Sequence, residues 1–292
     1  MPDRSLSNVP PVTSTAAVPD GALPPAALPA APTALPNGAL PPAAATPPAS
    51  LRVLAEYPDL RYRDVFWPGR DYEDLCDRLA LRSLLRPAGE RLLDVGAGFG
   101  RLVDEYGGYR AVVLLDASEA HLAAARERFA GVRRVAVVAG DAAHLPFPDA
   151  SFDAVVCVRM VHHLADPPPV IAELGRVLRP GGELVLEFAN KRNLKAVLRF
   201  LARRQAWSPF APGSAAYRTA HFDHAPRDVR RWLRSAGLQV EATRTASLLR
   251  VPVLSRHLPL PVLAAVESPL QRWLAAVTPG PSVFVRARRR PG

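Results

Sequence analysis

The stretch that most constrains this chain is Arg91-Leu-Leu-Asp-Val-Gly-Ala-Gly-Phe-Gly-Arg-Leu102. The apolar run Leu92 to Val95 reads as a buried strand carrying Asp94 near its carboxyl end. Gly96, Gly98 and Gly100, at alternate positions, then force a sharp turn into a helix. Glycine accepts positive φ and, lacking Cβ, lets a ligand approach the main chain beside the positive end of the next helix. The dinucleotide fingerprint needs G-x-G-x-x-G, whereas here the third glycine falls one position early and Arg101 stands in its place. No Gly-Lys-Ser/Thr follows, which excludes a P-loop.

Two further strand ends carry carboxylates. Ala111 to Leu115 ends in Asp116, where a carboxylate can accept both hydroxyls of a ribose. Val135 to Ala139 ends in Gly140-Asp141-Ala142, where a carboxylate and a backbone amide can read an adenine edge. Phe152 to Val158, apolar on both faces, has the pattern of a central parallel strand; Glu183 to Ala189 and Leu238 to Ala242 are the fifth and sixth. Helices are expected over Asp71 to Arg86, from a Ser118 cap to about Phe129, from an Asp166 N-cap through prolines to Leu178, and over Pro226 to Ala236.

The segments Asp94-Val-Gly-Ala-Gly-Phe-Gly100, Leu115-Asp116-Ala-Ser118, Gly140-Asp141-Ala-Ala-His-Leu-Pro146, Phe152-Asp153-Ala-Val-Val156 and Leu178-Arg-Pro-Gly-Gly182 together resemble the class I S-adenosylmethionine-dependent methyltransferases, over about residues 88–190. The resemblance implies a doubly wound, seven-stranded, mostly parallel Rossmann-like α/β sheet. Its last strand, antiparallel at the sheet edge, would be Ser282 to Arg288. S-adenosyl-L-methionine is the implied cofactor. Gly96, Ala97, Gly98 and Gly100 would shape its methionine pocket, Asp94 hold the amino group, Asp116 with Ala117 the ribose, and Asp141 with Ala142 the adenine, with Arg159 beside them.

The resemblance says little of the methyl acceptor. A small-molecule acceptor leads, followed by an RNA-directed methyltransferase and a cofactor-binding scaffold without turnover. Arg159, His162 and His163 follow the fourth strand, where an acceptor would meet the methyl group. Either histidine can serve as the catalytic base if the acceptor must lose a proton. His221, Asp223 and His224 have the chemistry of metal ligands but no companion cluster, and no metal is expected.

Residues 1–50 hold 13 of the 32 prolines and almost no charge, a composition expected to stay disordered. They lack the basic start and unbroken apolar core of a signal peptide. Residues 51–292 are expected to form the domain. Within it, 51–87 supply a helix and an aromatic segment that either lids the pocket or packs on the surface, and inserts occupy about 190–223 and 247–281. No run of 18 apolar residues suggests a membrane span, and two cysteines suit a reducing cytoplasm.

Residues 191–292 carry a net charge of +15, against −4 for 51–190 and −1 for 1–50. This asymmetry fits an anionic partner such as nucleic acid, a phospholipid surface or an acidic substrate. It fits equally an arginine-biased genome, since 35 of the 37 basic residues are arginine. The first insert places Lys191, Arg192, Lys195, Arg199, Arg203 and Arg204 around Leu194, Val197, Leu198 and Leu201, a basic amphipathic helix. With the second insert it can cap an apolar acceptor or make peripheral membrane contact; covering the sheet edge is the favoured role.

Overall fold

The computed structural model describes residues 67–218, 221–250 and 258–291. The tail at 1–50, the aromatic segment before Trp67 and residues 251–257 lie outside them. In chain order the described elements begin with α1 (Asp71–Leu84), β1 (Gly89–Val95), β2 (Tyr109–Asp116), α2 (Glu119–Arg128), β3 (Val135–Ala139), β4 (Phe152–Cys157), α3 (Pro168–Val177) and β5 (Leu178–Ala189). They continue with α4 (Leu194–Leu201), β6 (Ala215–Arg218), β7 (His221–Asp223), α5 (Pro226–Ser235), β8 (Leu238–Ala246), α6 (Leu260–Trp273) and β9 (Ser282–Arg289).

Seven strands form one sheet in the order β3-β2-β1-β4-β5-β9-β8, and β6 pairs with β7 in a separate hairpin. The strands from β1 to β5 are parallel, while β9 is antiparallel to both its neighbours. Period-2 alternation sends successive side chains to opposite faces. Leu93, Val95, Val155, Cys157, Leu184 and Leu186 pack with residues of α3 and α5 on one face. Leu92, Val112, Leu114, Ala154, Val156 and Val185 pack with α1 on the other. Each leucine withdrawn fully from water contributes roughly 1.5–3 kcal/mol, so the central strands bind both helical layers. Cys76 and Cys157 are both buried free thiols, as their apolar surroundings in the sequence suggest.

The structure corrects several expectations. β9 lies inside the sheet, between β5 and β8, and β8 takes the edge. Val283, Phe284, Val285 and Ala287 are all buried, whereas β8 exposes Gln239 and Glu241; the more apolar strand is the one worth covering on both sides. β5 begins earlier than Glu183, because Leu178 already pairs with Phe152 before a register shift brings Glu183 opposite Ala154. Gly181, at φ +76, turns the extra residues out of the ladder. β8 runs on to Ala246.

Asp166 does not cap α3. That helix starts at Pro168, and Pro167 at the cap position provides no side-chain bond. Ser118 does cap α2, accepting from the His121 amide. Helix α6 packs on α1 and β8, so the second insert does provide sheet cover. The first does not: Leu194, Leu198 and Leu201 of α4 are 54%, 56% and 68% exposed. Among the described residues no helix is long and apolar enough to cross a membrane.

Candidate functional site

In an open α/β sheet, ligands bind beyond the carboxyl ends of the strands where the winding direction reverses. Here that point lies between β1 and β4, which pair directly. The Gly96 and Ala97 amides donate to the Leu115 carbonyl at the end of β2, over 2.8 and 3.1 Å. The Gly98 amide donates to Asp116 Oδ2 at 2.8 Å, and the Ser118 amide to Asp116 Oδ1 at 2.9 Å. Gly140 in turn donates its amide to the Asp116 carbonyl at 3.0 Å. The ends of β1, β2 and β3 are therefore joined in one rim.

A cavity of about 40 Å³ opens over this corner, lined by Trp67, Asp94, Gly96, Ala97, Gly98, Phe99, Arg101, Leu102, Val158 and Arg159. The three glycines have different reasons to be glycine, although each has positive φ, at +74, +57 and +74. A Cβ on Gly96 would come within 2.7 Å of Met160 Cγ, and one on Gly100 within 2.4 Å of the Phe129 ring, but one on Gly98 would meet nothing within 4 Å. The space above Gly98 is open.

Asp94 is 3% exposed and accepts a 2.8 Å hydrogen bond from the Tyr106 hydroxyl. Burial pushes its carboxyl up to about 7, against the pull of that bond and of Arg101. Opposite it, Asp77 is wholly buried and holds two arginines that line the cavity. Arg159 makes a two-pronged contact at 2.7 and 3.0 Å, and Arg101 donates at 2.9 Å while also pairing with Asp74. The Trp67 ring lies 4.0 Å from the Arg101 guanidinium. Trp67 is the one aromatic residue of the expected aromatic segment among the described residues.

The expected cofactor residues thus fall into three groups. Asp94, Gly96, Ala97, Gly98 and Arg159 line one cavity, while Gly100 shapes the turn from behind. Asp116 meets that cavity through Gly98, with Ala117 exposed on the turn after it. One strand further along, Asp141 Oδ1 accepts the Ala143 amide at 2.8 Å and Oδ2 lies 3.0 Å from His144 Nδ1; the Ala142 side chain joins the core.

His162 and His163 follow Met160 on a short turn at the end of β4, and the contact between Met160 and Gly96 ties that turn to the glycine corner. The His162 ring lies 4.2 Å from that of His163 and 4.6 Å from that of His221. His162 is 8% exposed, and its Nδ1 has no hydrogen-bond partner and stands 3.9 Å from Glu187 Oε2. Burial first, and then the neighbouring imidazoles and Arg159, push its pKa well below the ordinary imidazole value, so the ring is neutral. Glu187, buried in β5, is pushed upward chiefly by desolvation. His224 is engaged elsewhere, its Nε2 3.1 Å from the Val161 carbonyl and its Nδ1 2.8 Å from the Ser214 hydroxyl. Among the described residues no group of three or more His, Cys, Asp or Glu is placed to hold a metal ion.

Sequence reading alone did not assign Asp77, Arg101, Tyr106, Glu187 or His221 to this site. Glu187 had a visible signal, a carboxylate inside an apolar strand, and Arg101 stood within the glycine stretch itself. Asp77 gave none, since an acidic residue on a mixed helix reads as solvated.

Residues 93–186 match the family described as methyltransferase domain. The chain is 42% identical over 106 residues to a demethylmenaquinone methyltransferase of Clavibacter sepedonicus, covering 36% of this chain and 43% of the relative. It is 43% identical over 117 residues to the 27-O-demethylrifamycin SV methyltransferase of Amycolatopsis mediterranei, covering 38% and 43%. The chain therefore spans less than half the length of these two relatives. Among solved structures it is similar to Burkholderia thailandensis 1,6-didemethyltoxoflavin-N1-methyltransferase with bound 1,6-didemethyltoxoflavin and S-adenosylhomocysteine. That likeness has a TM-score of 0.54 at 19% identity, over 86% of this chain and 93% of that one, and it shows the fold.

Proposed function

We propose that this chain, which carries a domain of the class I S-adenosylmethionine-dependent methyltransferases, transfers the sulfonium methyl group of S-adenosyl-L-methionine to a small-molecule acceptor. The observation that carries this reading is the cavity at the β1–β4 reversal, where a buried carboxylate and a backbone corner face open space. The relatives named above, by their names, methylate small molecules, which supports the same acceptor class here.

The residues fit that cofactor. The open space above Gly98 is a cradle a Cβ would fill, and Asp94 supplies a buried carboxylate for the cofactor's cationic amino group. Asp116 has given one backbone bond to each oxygen; a carboxylate offers about four acceptor sites, which leaves room for two ribose hydroxyls. Asp141 and the Ala142 amide stand at the next strand end for the adenine edge. Arg159, fixed by Asp77, closes the wall towards the acceptor side. When bound, the cofactor supplies an already activated methyl group, so this chain's task is chiefly alignment. Where the acceptor atom carries a proton, the neutral imidazole of His162 is the base that would take it.

Gly98→Ala separates binding from folding. Its positive φ costs an L-residue roughly 1–2 kcal/mol, with no clash to add. Thermal melting should therefore fall by only a few degrees, while cofactor affinity falls by about 100-fold, read by calorimetry. Equal affinity in the variant would show that the space above Gly98 is not the binding site.

The activity itself is tested by incubating cell extracts with the protein and isotopically labelled S-adenosyl-L-methionine, followed by mass spectrometry. A labelled small molecule is the expected product, and label found only in RNA or protein would refute the assignment. Once the acceptor is in hand, His162→Gln should lower kcat by about 10²- to 10⁴-fold, the usual worth of general base catalysis, at unchanged cofactor affinity. An undiminished kcat would remove His162 from the proton path.

A further inference from the structure

We propose that α4, together with the turn after α6, is a docking surface for an anionic phospholipid bilayer. Helix α4 is started by Asn193, whose side chain accepts the Ala196 amide at 2.9 Å, and it is held to the protein through Ala196, 3% exposed. Leu194, Leu198 and Leu201 recur at helical spacing and form one stripe. That stripe points outward, the reverse of the arrangement in a helix that covers a core.

The stripe does not stand alone. The Leu194 amide donates to the Pro279 carbonyl at 2.8 Å, and Asn190 Nδ2 donates to the Thr278 and Gly280 carbonyls at 2.7 and 2.9 Å. These bonds pin the start of α4 to the segment that ends α6, which presents Trp273 at 78% and Val277 at 61% exposure. Phe210, also exposed, lies 5.6 Å from the Arg192 guanidinium.

Among the described residues the charge carried by this segment is of one sign. Between Glu187 and Asp223 the sequence has no acidic residue. Lys191 is turned inward onto the carbonyls of Ala211, Pro212 and Gly213. Arg192, Lys195, Arg203 and Arg204 are exposed and Arg199 half-exposed; no ion pair holds any of them among the described residues. A partner must both neutralise these cations and take leucine and tryptophan out of water. Nucleic acid does the first and leaves the leucines wet. A second copy does the second while opposing like charges. The headgroup and acyl boundary of an anionic bilayer does both.

Vesicle sedimentation of the full chain tests this. Binding is expected to vesicles of equal parts phosphatidylcholine and phosphatidylglycerol and to be much weaker to phosphatidylcholine alone. Because the side chains are exposed, Leu198→Glu/Leu201→Glu and Lys195→Gln/Arg203→Gln should keep the native melting temperature and cofactor affinity. The second pair should lower partitioning by roughly 30-fold, on the scale of two juxtamembrane charges, and the first should abolish it. Absence of binding to anionic vesicles overturns the proposal, as does binding insensitive to the leucine variant. Retention of RNA in place of vesicles, or a dimer dispersed by the leucine variant, overturns it in favour of the other partner. None of these readouts depends on methyl transfer, so failure here leaves the activity assignment standing.

Discussion

Asp94→Asn is expected to weaken S-adenosyl-L-methionine binding by about 100-fold or more and to flatten its pH dependence. The size follows from removing one partner of a buried charge pair, which costs about 2–5 kcal/mol. The pH dependence follows from burial, which holds the Asp94 carboxyl at about 7 in the free protein. Only the ionised form attracts a cation, so below pH 7 a proton must leave first, at a tenfold loss of affinity for each pH unit. Affinity should therefore rise with pH and level off above 7, with proton release on binding near neutrality. The asparagine variant should show neither. Titration calorimetry in buffers of different ionisation enthalpy reads both, and an unchanged slope in the variant would exclude Asp94 as the cation's partner.

The same burial acts on stability with the opposite sign. The folded protein keeps a proton on Asp94 that the unfolded chain has released above about pH 4, so this group's contribution to stability falls as pH rises from about 4 to 7. Asp94→Asn removes that decline. The binding carboxylate is thus a group the fold carries at a cost, which the bound cation offsets.

Asp77→Ala is expected to destabilise the protein by about 3–5 kcal/mol, the usual result of stripping one partner from a buried ion pair. In thermal melting this corresponds to a fall of roughly 10 °C for a protein of this size. Asp77 is the common partner of Arg101 and Arg159, which have only 12% and 15% side-chain exposure. Arg159 also sits at φ +58, a left-handed conformation that costs a non-glycine residue of order 1–3 kcal/mol. The two-pronged contact of its side chain with Asp77 and the bond of its amide to Glu187 Oε2 at 2.9 Å help hold it there. A double replacement of Asp77 and Arg159 by alanine should therefore be less damaging than the sum of the two single changes. A loss below about 1 kcal/mol for Asp77→Ala would show that this triad does not brace the wall.

The glycine corner was legible residue by residue because its demands are local. Alternate glycines at positive φ, an apolar strand before them and a capped helix after the next strand are steric statements about neighbours in sequence. The ends of β1, β2 and β3 fell where the apolar runs stopped for the same reason. His162 and His163 were legible as candidates from their place after β4, but their state was not. That His162 is neutral and packed against the ring of His221 required the β6–β7 hairpin to be folded back upon it.

The amino-acid sequence by itself determined the ends of β1, β2 and β3, the corner and hence the class of fold, since φ preferences and period-2 apolar runs act within a few residues. Tertiary structure alone decided that β9 enters the sheet ahead of β8, that Asp77 reaches Arg159 across 82 positions, and that the leucines of α4 face outward. Each of those outcomes depends on which surfaces distant segments leave uncovered, and no local rule of backbone geometry carries that information.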